Sequence, residues 1–233
     1  MSNRFYSEKP ITSDKVQLNE IESRHLSKVM RKNVGEEIVL FDGSGFEFRA
    51  TISVIERKKV IVDIVERIEK SRELDIDITI AAPLPKGDRQ TWMVGKLVEL
   101  GVRRFVPLIT ERSVAKPTDS ALARLKKCVI ESSKQCERNE LAEIAAPQSF
   151  ESYVKNAPQS SRRLVADPSA TRTFPSDNDA NVILLFGPEG GLSDDEVELA
   201  VETGWQPASL GKRILRLETA AVAAAAWFSL SRS

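Results

Sequence analysis

Three glycines, at 187, 190 and 191 in the run Val182-Ile-Leu-Leu-Phe-Gly-Pro-Glu-Gly-Gly191, are the residues whose type and spacing point most directly to a ligand. Glycine tolerates positive φ and lets a ligand approach the backbone with no Cβ in the way. The five apolar residues before Gly187-Pro188 read as a buried strand that ends in a turn. Ser193 and Glu196 follow with the spacing of a capping box, so a helix should start there. Strand, glycine loop and capped helix together make a ligand-binding corner. The loop is not a Walker A motif, because no Gly-Lys-Ser/Thr follows, and it lacks the GxGxxG of a dinucleotide site. A mononucleotide-type ligand stays open, as does a tight strand-to-helix turn that binds nothing.

A second segment, Leu210-Gly-Lys-Arg-Ile-Leu-Arg-Leu-Glu-Thr-Ala220, follows. Leu210-Gly211 reads as the end of another short strand, and Ile214 to Leu217 set apolar residues around Arg216. Glu218 to Leu230 is a small-residue run of high helical propensity. Other chemistries have little to build on. His25 is the sole histidine, too few for a His-based metal site or a Ser-His-Asp triad. Cys128 and Cys136 have neither CxxC nor zinc spacing and read as core residues in a reducing compartment, so no metal is expected.

The elements that must position these segments can be read along the chain. Its 233 residues are 41% hydrophobic and 29% charged, the composition of a soluble globular protein with one large domain or two small ones. No apolar run is long enough to span a bilayer and the N-terminus lacks a signal-peptide core, so a cytoplasmic, non-membrane protein is expected. Lys plus Arg and Asp plus Glu are both 34, so binding to nucleic acid would need local basic patches. Asn19 should cap a helix over Glu20 to Lys32, with Glu22 at the capping-box position and Ile21, Leu26, Val29 and Met30 as its apolar stripe. Arg24, Lys28, Arg31 and Lys32 fall on another face, either simply solvated or turned to phosphates.

Glu37 to Phe41, the alternating run from Phe46 to Val54, and Val60 to Val65 read as short strands of a small barrel. Residues 56–59 form a polar hairpin tip. Past the charged junction at Glu69 to Glu73, strands and helices alternate. Strands are expected at Ile76 to Ala82, Arg104 to Ile109, Leu164 to Ala166 and Val182 to Phe186. Helices are expected from Asp88 to Leu100 and from Ser120 to Arg138, and a flexible loop at 168–179. Such alternation predicts an α/β fold with a parallel sheet covered on both faces.

GPEGGLSDDE followed by LGKRILRLETAA resembles the SPOUT methyltransferases, and more narrowly the ribosomal RNA small subunit methyltransferase E family. The likeness extends to Phe41-Asp-Gly-Ser44, Lys86-Gly-Asp88, Glu99-Leu-Gly-Val102, Glu111-Arg-Ser113 and Gln135-Cys136 with Arg138, nearly the whole chain. It implies a PUA-like RNA-binding β-barrel over residues 1–72 and a trefoil-knotted parallel-sheet domain over 73–233. The implied activity is S-adenosylmethionine-dependent methylation of N3 of a uridine in 16S rRNA, by a homodimer.

The implied cofactor residues are Leu185, Phe186, Gly187, Pro188, Glu189, Gly190, Gly191, Leu210, Gly211, Ile214, Leu215, Arg216, Thr219 and Ala220. Arg216 is the candidate for stabilising an ionised base and Glu218 for accepting its proton; a structural ion pair or helix cap is the alternative for both. Arg24, Lys28, Arg31, Arg112 and Arg138 are the candidate RNA ligands, although Arg112 and Arg138 could equally anchor a dimer or a helix end. The chain departs from the family pattern at Arg89-Gln90-Thr91, Gly95, Lys134 and Glu137. Ribose 2′-O-methylation and a catalytically inactive ribosome-assembly protein are the competing readings.

Overall fold

The computed structural model describes residues 3–56, 59–175 and 181–230, and it divides into two compact units. Residues 57 and 58 of the expected hairpin tip and 176–179 of the expected loop lie outside the described residues. The first unit runs to Glu73 and includes Ile130–Leu141; the second holds Leu74–Val129 and the chain from Ala142 onward.

In the first unit β1 (Arg4–Tyr6), β2 (Lys15–Gln17), β3 (Glu37–Phe41), β4 (Phe46–Ile55) and β5 (Val60–Glu69) form a sheet in the order β1-β3-β4-β5-β2. Phe48, Ala50 and Ile52 alternate inward onto Phe5, Leu26, Ile38 and Leu40. Two register shifts between β4 and β5 bend the sheet around that core. The helix after Asn19 differs from expectation. It is a short α1 (Glu20–Arg24) that widens into a π-helical turn over His25–Val29 and stops, with Arg31 in the left-handed region at φ 53°. Its buried face is Glu22, Ser23 and Leu26, while Ile21 and Val29 are exposed. The Asn19 side chain does accept from the Glu22 amide at 2.8 Å. The Glu22 carboxylate does not return the bond but binds Lys134, and burial raises its pKa.

The second unit contains β6 (Asp77–Ala82), α2 (Arg89–Glu99), β7 (Arg104–Ile109), the first part of α3 (Asp119–Cys136), β8 (Glu143–Ile144) and β9 (Gln148–Ser149). It continues through α4 (Phe150–Asn156), β10 (Arg162–Ala166), β11 (Asn181–Leu185), α5 (Asp194–Glu202), β12 (Gln206–Ala208) and α6 (Leu217–Leu230). Every pairing in its sheet is parallel, in the order β12-β10-β11-β6-β7-β8, with β9 also on β7.

Val182 to Leu185 are all buried because both sheet faces are covered. Ile183 and Leu185 pack with Val154 of α4, Ala200 of α5 and Trp205, whereas α6 packs on β6 and α2. The Trp205 indole donates to the Val154 carbonyl at 3.2 Å. The β12 strand ends at Ala208, short of Leu210-Gly211. Residues 168–175 are partly fixed: Asp167 accepts from the Ser169 amide at 2.8 Å, and Thr173 bridges to Ser209. No helix among the described residues is long and apolar enough to cross a membrane.

Tyr153 sits in the core beside Trp205, and burial pushes its phenol from 10.0 up to about 12. An acid whose folded pKa is raised stabilises the fold fully below its unfolded pKa and loses that contribution as pH rises through the folded value. About 2–3 kcal/mol should therefore disappear between roughly pH 10 and 12. Urea titrations across that window should show a steeper loss for the wild type than for Tyr153→Phe. Parallel curves would mean that the phenol is not held neutral.

Candidate active site

Parallel pairing brings three strand ends to one edge of the second unit. Val165 is in register with Leu185 on one side and Pro207 on the other, so the chain leaves β10, β11 and β12 at the same level. Open parallel sheets bind ligands at this carboxyl edge. A cavity of about 760 Å³ opens there, lined by Ala166 to Ser169, Phe186 to Leu192, Ala208 to Gly211, Arg213 to Leu217, Ala220, and Asp194, Val197 and Glu198 of α5. Its size lies within the roughly 300–1,000 Å³ of small-molecule sites.

The glycine loop is folded tightly on itself. A Cβ on Gly187 would lie 2.8 Å from the Leu192 amide nitrogen, and Gly191 has φ +71°, so side chains are excluded at the first position and strained at the second. The Gly191 amide donates to Pro188 O at 2.9 Å. The predicted capping box is complete: Ser193 Oγ accepts from the Glu196 amide, and Glu196 accepts from the Ser193 amide at 3.0 Å. The other Glu196 oxygen takes the Glu111 amide at 2.9 Å. Beside it, Arg112 Nη1 donates to the carbonyls of Gly190 at 3.0 Å and Leu192 at 3.2 Å.

Of the residues expected to hold a cofactor, Phe186, Gly187, Pro188, Glu189, Gly190, Gly191, Leu210, Gly211, Ile214, Leu215, Arg216 and Ala220 line this cavity. Leu185 and Thr219 do not: the first is wholly buried in the sheet core and the second points outward. Arg216 is exposed at the cavity, and its side chain makes no ion pair among the described residues. Glu218 is not in the lining. It is buried at 6% exposure with Oε1 3.3 Å from Arg89 Nη1, and its Oε2 has no partner. This geometry turns it away from the role of a proton acceptor in the cavity.

Sequence reasoning missed Asp167 to Ser169 and the α5 residues Asp194, Val197 and Glu198. Pro168 directly after an apolar strand was a usable signal; the contribution of α5 depends on tertiary packing and had none. The lining combines apolar side chains from Phe186, Leu192, Val197, Leu210, Ile214 and Leu215 with the carboxylates of Asp167, Glu189, Asp194 and Glu198. Arg213 and Arg216 line the same cavity, so four carboxylates face two guanidiniums, a mix that suits an apolar ring system carrying charges of both signs.

Among the candidate RNA ligands, Arg24, Lys28 and Arg31 are exposed on the first unit, and Lys32 is paired with Glu36 at 2.7 Å. Arg112 is exposed but props the glycine loop. Arg138 is buried at 3% exposure and forks onto Glu73, with Nε 3.0 Å from Oε1. The departures at 134 and 137 have local explanations. Lys134 pairs with Glu22 and Glu131. Glu137 stands at φ 64°, a left-handed conformation that residues other than glycine adopt rarely, and Arg72 holds its carboxylate at 2.6 Å.

The RNA methyltransferase domain family matches residues 72–229, and an RNA methyltransferase PUA domain matches 18–65, so fold and cavity belong to an RNA methyltransferase with an N-terminal PUA domain. Ribosomal RNA small subunit methyltransferase E of Synechocystis sp. is 34% identical over 218 residues, covering 91% of this chain and 71% of the relative. That of Bacillus subtilis is 33% identical, covering 85% and 83%. The Neisseria gonorrhoeae enzyme of the same name, solved bound to S-adenosylmethionine, superposes with a TM-score of 0.90 at 30% identity over 97% of this chain and 96% of its own. A Legionella pneumophila methyltransferase solved with the same cofactor reaches 0.92 at 32% identity over 99% and 98%. The chain belongs to the ribosomal RNA small subunit methyltransferase E family.

Removing Arg138 would leave Glu73 unpaired and largely buried. Arg138→Ala should cost about 3–5 kcal/mol in a urea titration. Stability within about 0.5 kcal/mol of wild type, together with lost RNA affinity, would return Arg138 to the RNA surface.

Proposed function

We propose that this chain methylates N3 of a uridine in the 16S rRNA of the small ribosomal subunit, using S-adenosylmethionine held in the cavity at the ends of β10, β11 and β12. The observation that carries this reading is the cavity lining. Backbone from Gly187 to Gly191, apolar walls, four carboxylates and the guanidiniums of Arg213 and Arg216 suit an adenine and a molecule with positive sulfur and ammonium groups and a carboxylate. Solved relatives hold that cofactor. When bound, S-adenosylmethionine supplies the methyl group as an electrophile on positively charged sulfur.

The protein's own contribution is positioning and exclusion of water. Phe186, Leu210, Ile214 and Leu215 offer apolar surface to the adenine. Arg216, exposed at the cavity and without an ion pair among the described residues, can stabilise negative charge on a uracil oxygen as the weakly acidic N3 proton passes to water. Uridine must leave its stack to reach such a cavity, which favours single-stranded or distorted RNA.

Residues 1–72, assigned as a PUA-like RNA-binding domain, would hold the backbone through Arg24, Lys28 and Arg31. The remainder, 73–233, is assigned as a knotted SPOUT domain. The outer face of α6 carries exposed Ala223, Trp227 and Leu230, which a second copy of the chain would cover in a homodimer. A cytoplasmic location, where ribosomes assemble, completes the proposal.

The protein should be incubated with labelled S-adenosylmethionine and small subunits from a strain lacking the modification, and the methylated nucleoside identified. N3-methyluridine in 16S rRNA is expected. A 2′-O-methylated nucleoside would indicate a different reaction of the superfamily, and cofactor binding without transfer an RNA-binding protein. Arg216→Ala should lower turnover about 10²-fold with cofactor affinity largely kept. Gly187→Ala should weaken cofactor binding far more than Gly190→Ala, because the first Cβ meets backbone at 2.8 Å and the second only the Arg112 side chain at 3.6 Å. Equal affinities would remove the close fold of the loop from the account.

A further inference from the structure

Arg89, at the start of α2, is not among the residues that line the cavity, yet it pairs with one lining residue, Glu189, and with Glu218, the neighbour of a second. Its Nη2 lies 3.0 Å from Glu189 Oε1 in the glycine loop, and its Nη1 lies 3.3 Å from Glu218 Oε1, one residue beyond the lining residue Leu217. Its Nε donates to the Lys86 carbonyl at 3.3 Å, which fixes the plane of the guanidinium. A planar fork with several donors can hold two carboxylates at a set separation, which an ammonium does less well.

The two acids are not equivalent. Glu218 is buried, and one oxygen already lacks a partner, so the loss of Arg89 would leave a carboxylate in the interior with no counter-charge. Glu189 is partly exposed, at the tip of a loop whose glycines give it little stiffness of its own. Arg112 holds the same loop through the Gly190 and Leu192 carbonyls but makes no bond to the α6 wall. Arg89 alone among these contacts ties the loop to the start of α6.

Resting on the cofactor reading above, we propose that Arg89 is a positioning residue that sets the width of the S-adenosylmethionine cavity by clamping Glu189 to Glu218. Without it the two carboxylates face one another, the glycine loop swings outward, and the backbone groups that meet the cofactor no longer converge. The forked contact is one that a lysine would not reproduce with the same geometry.

Calorimetric titration of S-adenosylmethionine into wild type, Arg89→Ala, Arg89→Lys and Arg89→Ala/Glu189→Gln tests this, with thermal unfolding measured alongside. Arg89→Ala should bind about tenfold or more weakly, and Arg89→Lys should fall between it and wild type. The double variant should recover part of the affinity with no matching recovery of Tm, since it removes the repelling charge at the loop and leaves Glu218 unpaired. A merely structural arginine would not give that split.

Affinity of Arg89→Ala within twofold of wild type, or a double variant no better than the single, would overturn the clamp. If Arg89→Ala does not fold, Arg89→Lys replaces it, because it keeps a positive charge beside the buried Glu218 and loses the fork that reaches Glu189. Weakening of about threefold supports the clamp and unchanged affinity overturns it. Absence of binding by the wild type would instead defeat the cofactor reading itself.

Discussion

The parallel pairing of β11 between β10 and β6 is the constraint on which the rest of the second unit depends. Parallel strands have every chain direction aligned, so their loops must emerge on the same edge, and the strand at the middle delivers its loop where the neighbouring ends can close around it. The register of β10 with both β11 and β12 places the glycine loop beside the segment leading into α6. Burial of Val182 to Leu185 on both faces then fixes that edge. A one-residue slip would turn each of these side chains to the opposite face and carry the loop out of the cavity.

What the sheet positions, charges hold. A glycine-rich loop has little stiffness, and here Arg112 secures its carbonyls while the Ser193–Glu196 capping box fixes the turn into α5. Glu196 extends that restraint to Glu111. The outcome is a wall of fixed backbone groups, which is the preorganisation that methyl transfer needs more than it needs an acid or a base. In the first unit a comparable ionic set, Glu22 with Lys134 and Glu73 with Arg138, ties residues 130–141 to the barrel strands' own unit.

Local signals carried much of this architecture. The strand before Gly187, the capping box at Ser193 and the strand Arg104 to Ile109 were legible because pattern and cap agree with the tertiary setting. The helix after Asn19 was not. Of its expected apolar stripe, Leu26 is buried and Met30 packs against the core, but Ile21 and Val29 face solvent, and the buried face holds Glu22 paired with Lys134. The same limit applied to charged residues. Arg138 and Glu218 were named for their type, yet each is paired with a residue far off in sequence, Glu73 and Arg89, and nothing local announces such a partner. Most of the cofactor segment was legible because its lining is contiguous in sequence; the share from α5 and from Asp167 was not, because it arrives through the sheet.

S-adenosylmethionine in the edge cavity would be met mainly by backbone. Amide hydrogen exchange with and without saturating S-adenosylmethionine tests it most directly, since the amides concerned can be followed one segment at a time. Slowed exchange is expected in 187–192 and 210–217, with the strands of the first unit unchanged. Cofactor binding that leaves both segments unprotected, or protects a different surface, would contradict it.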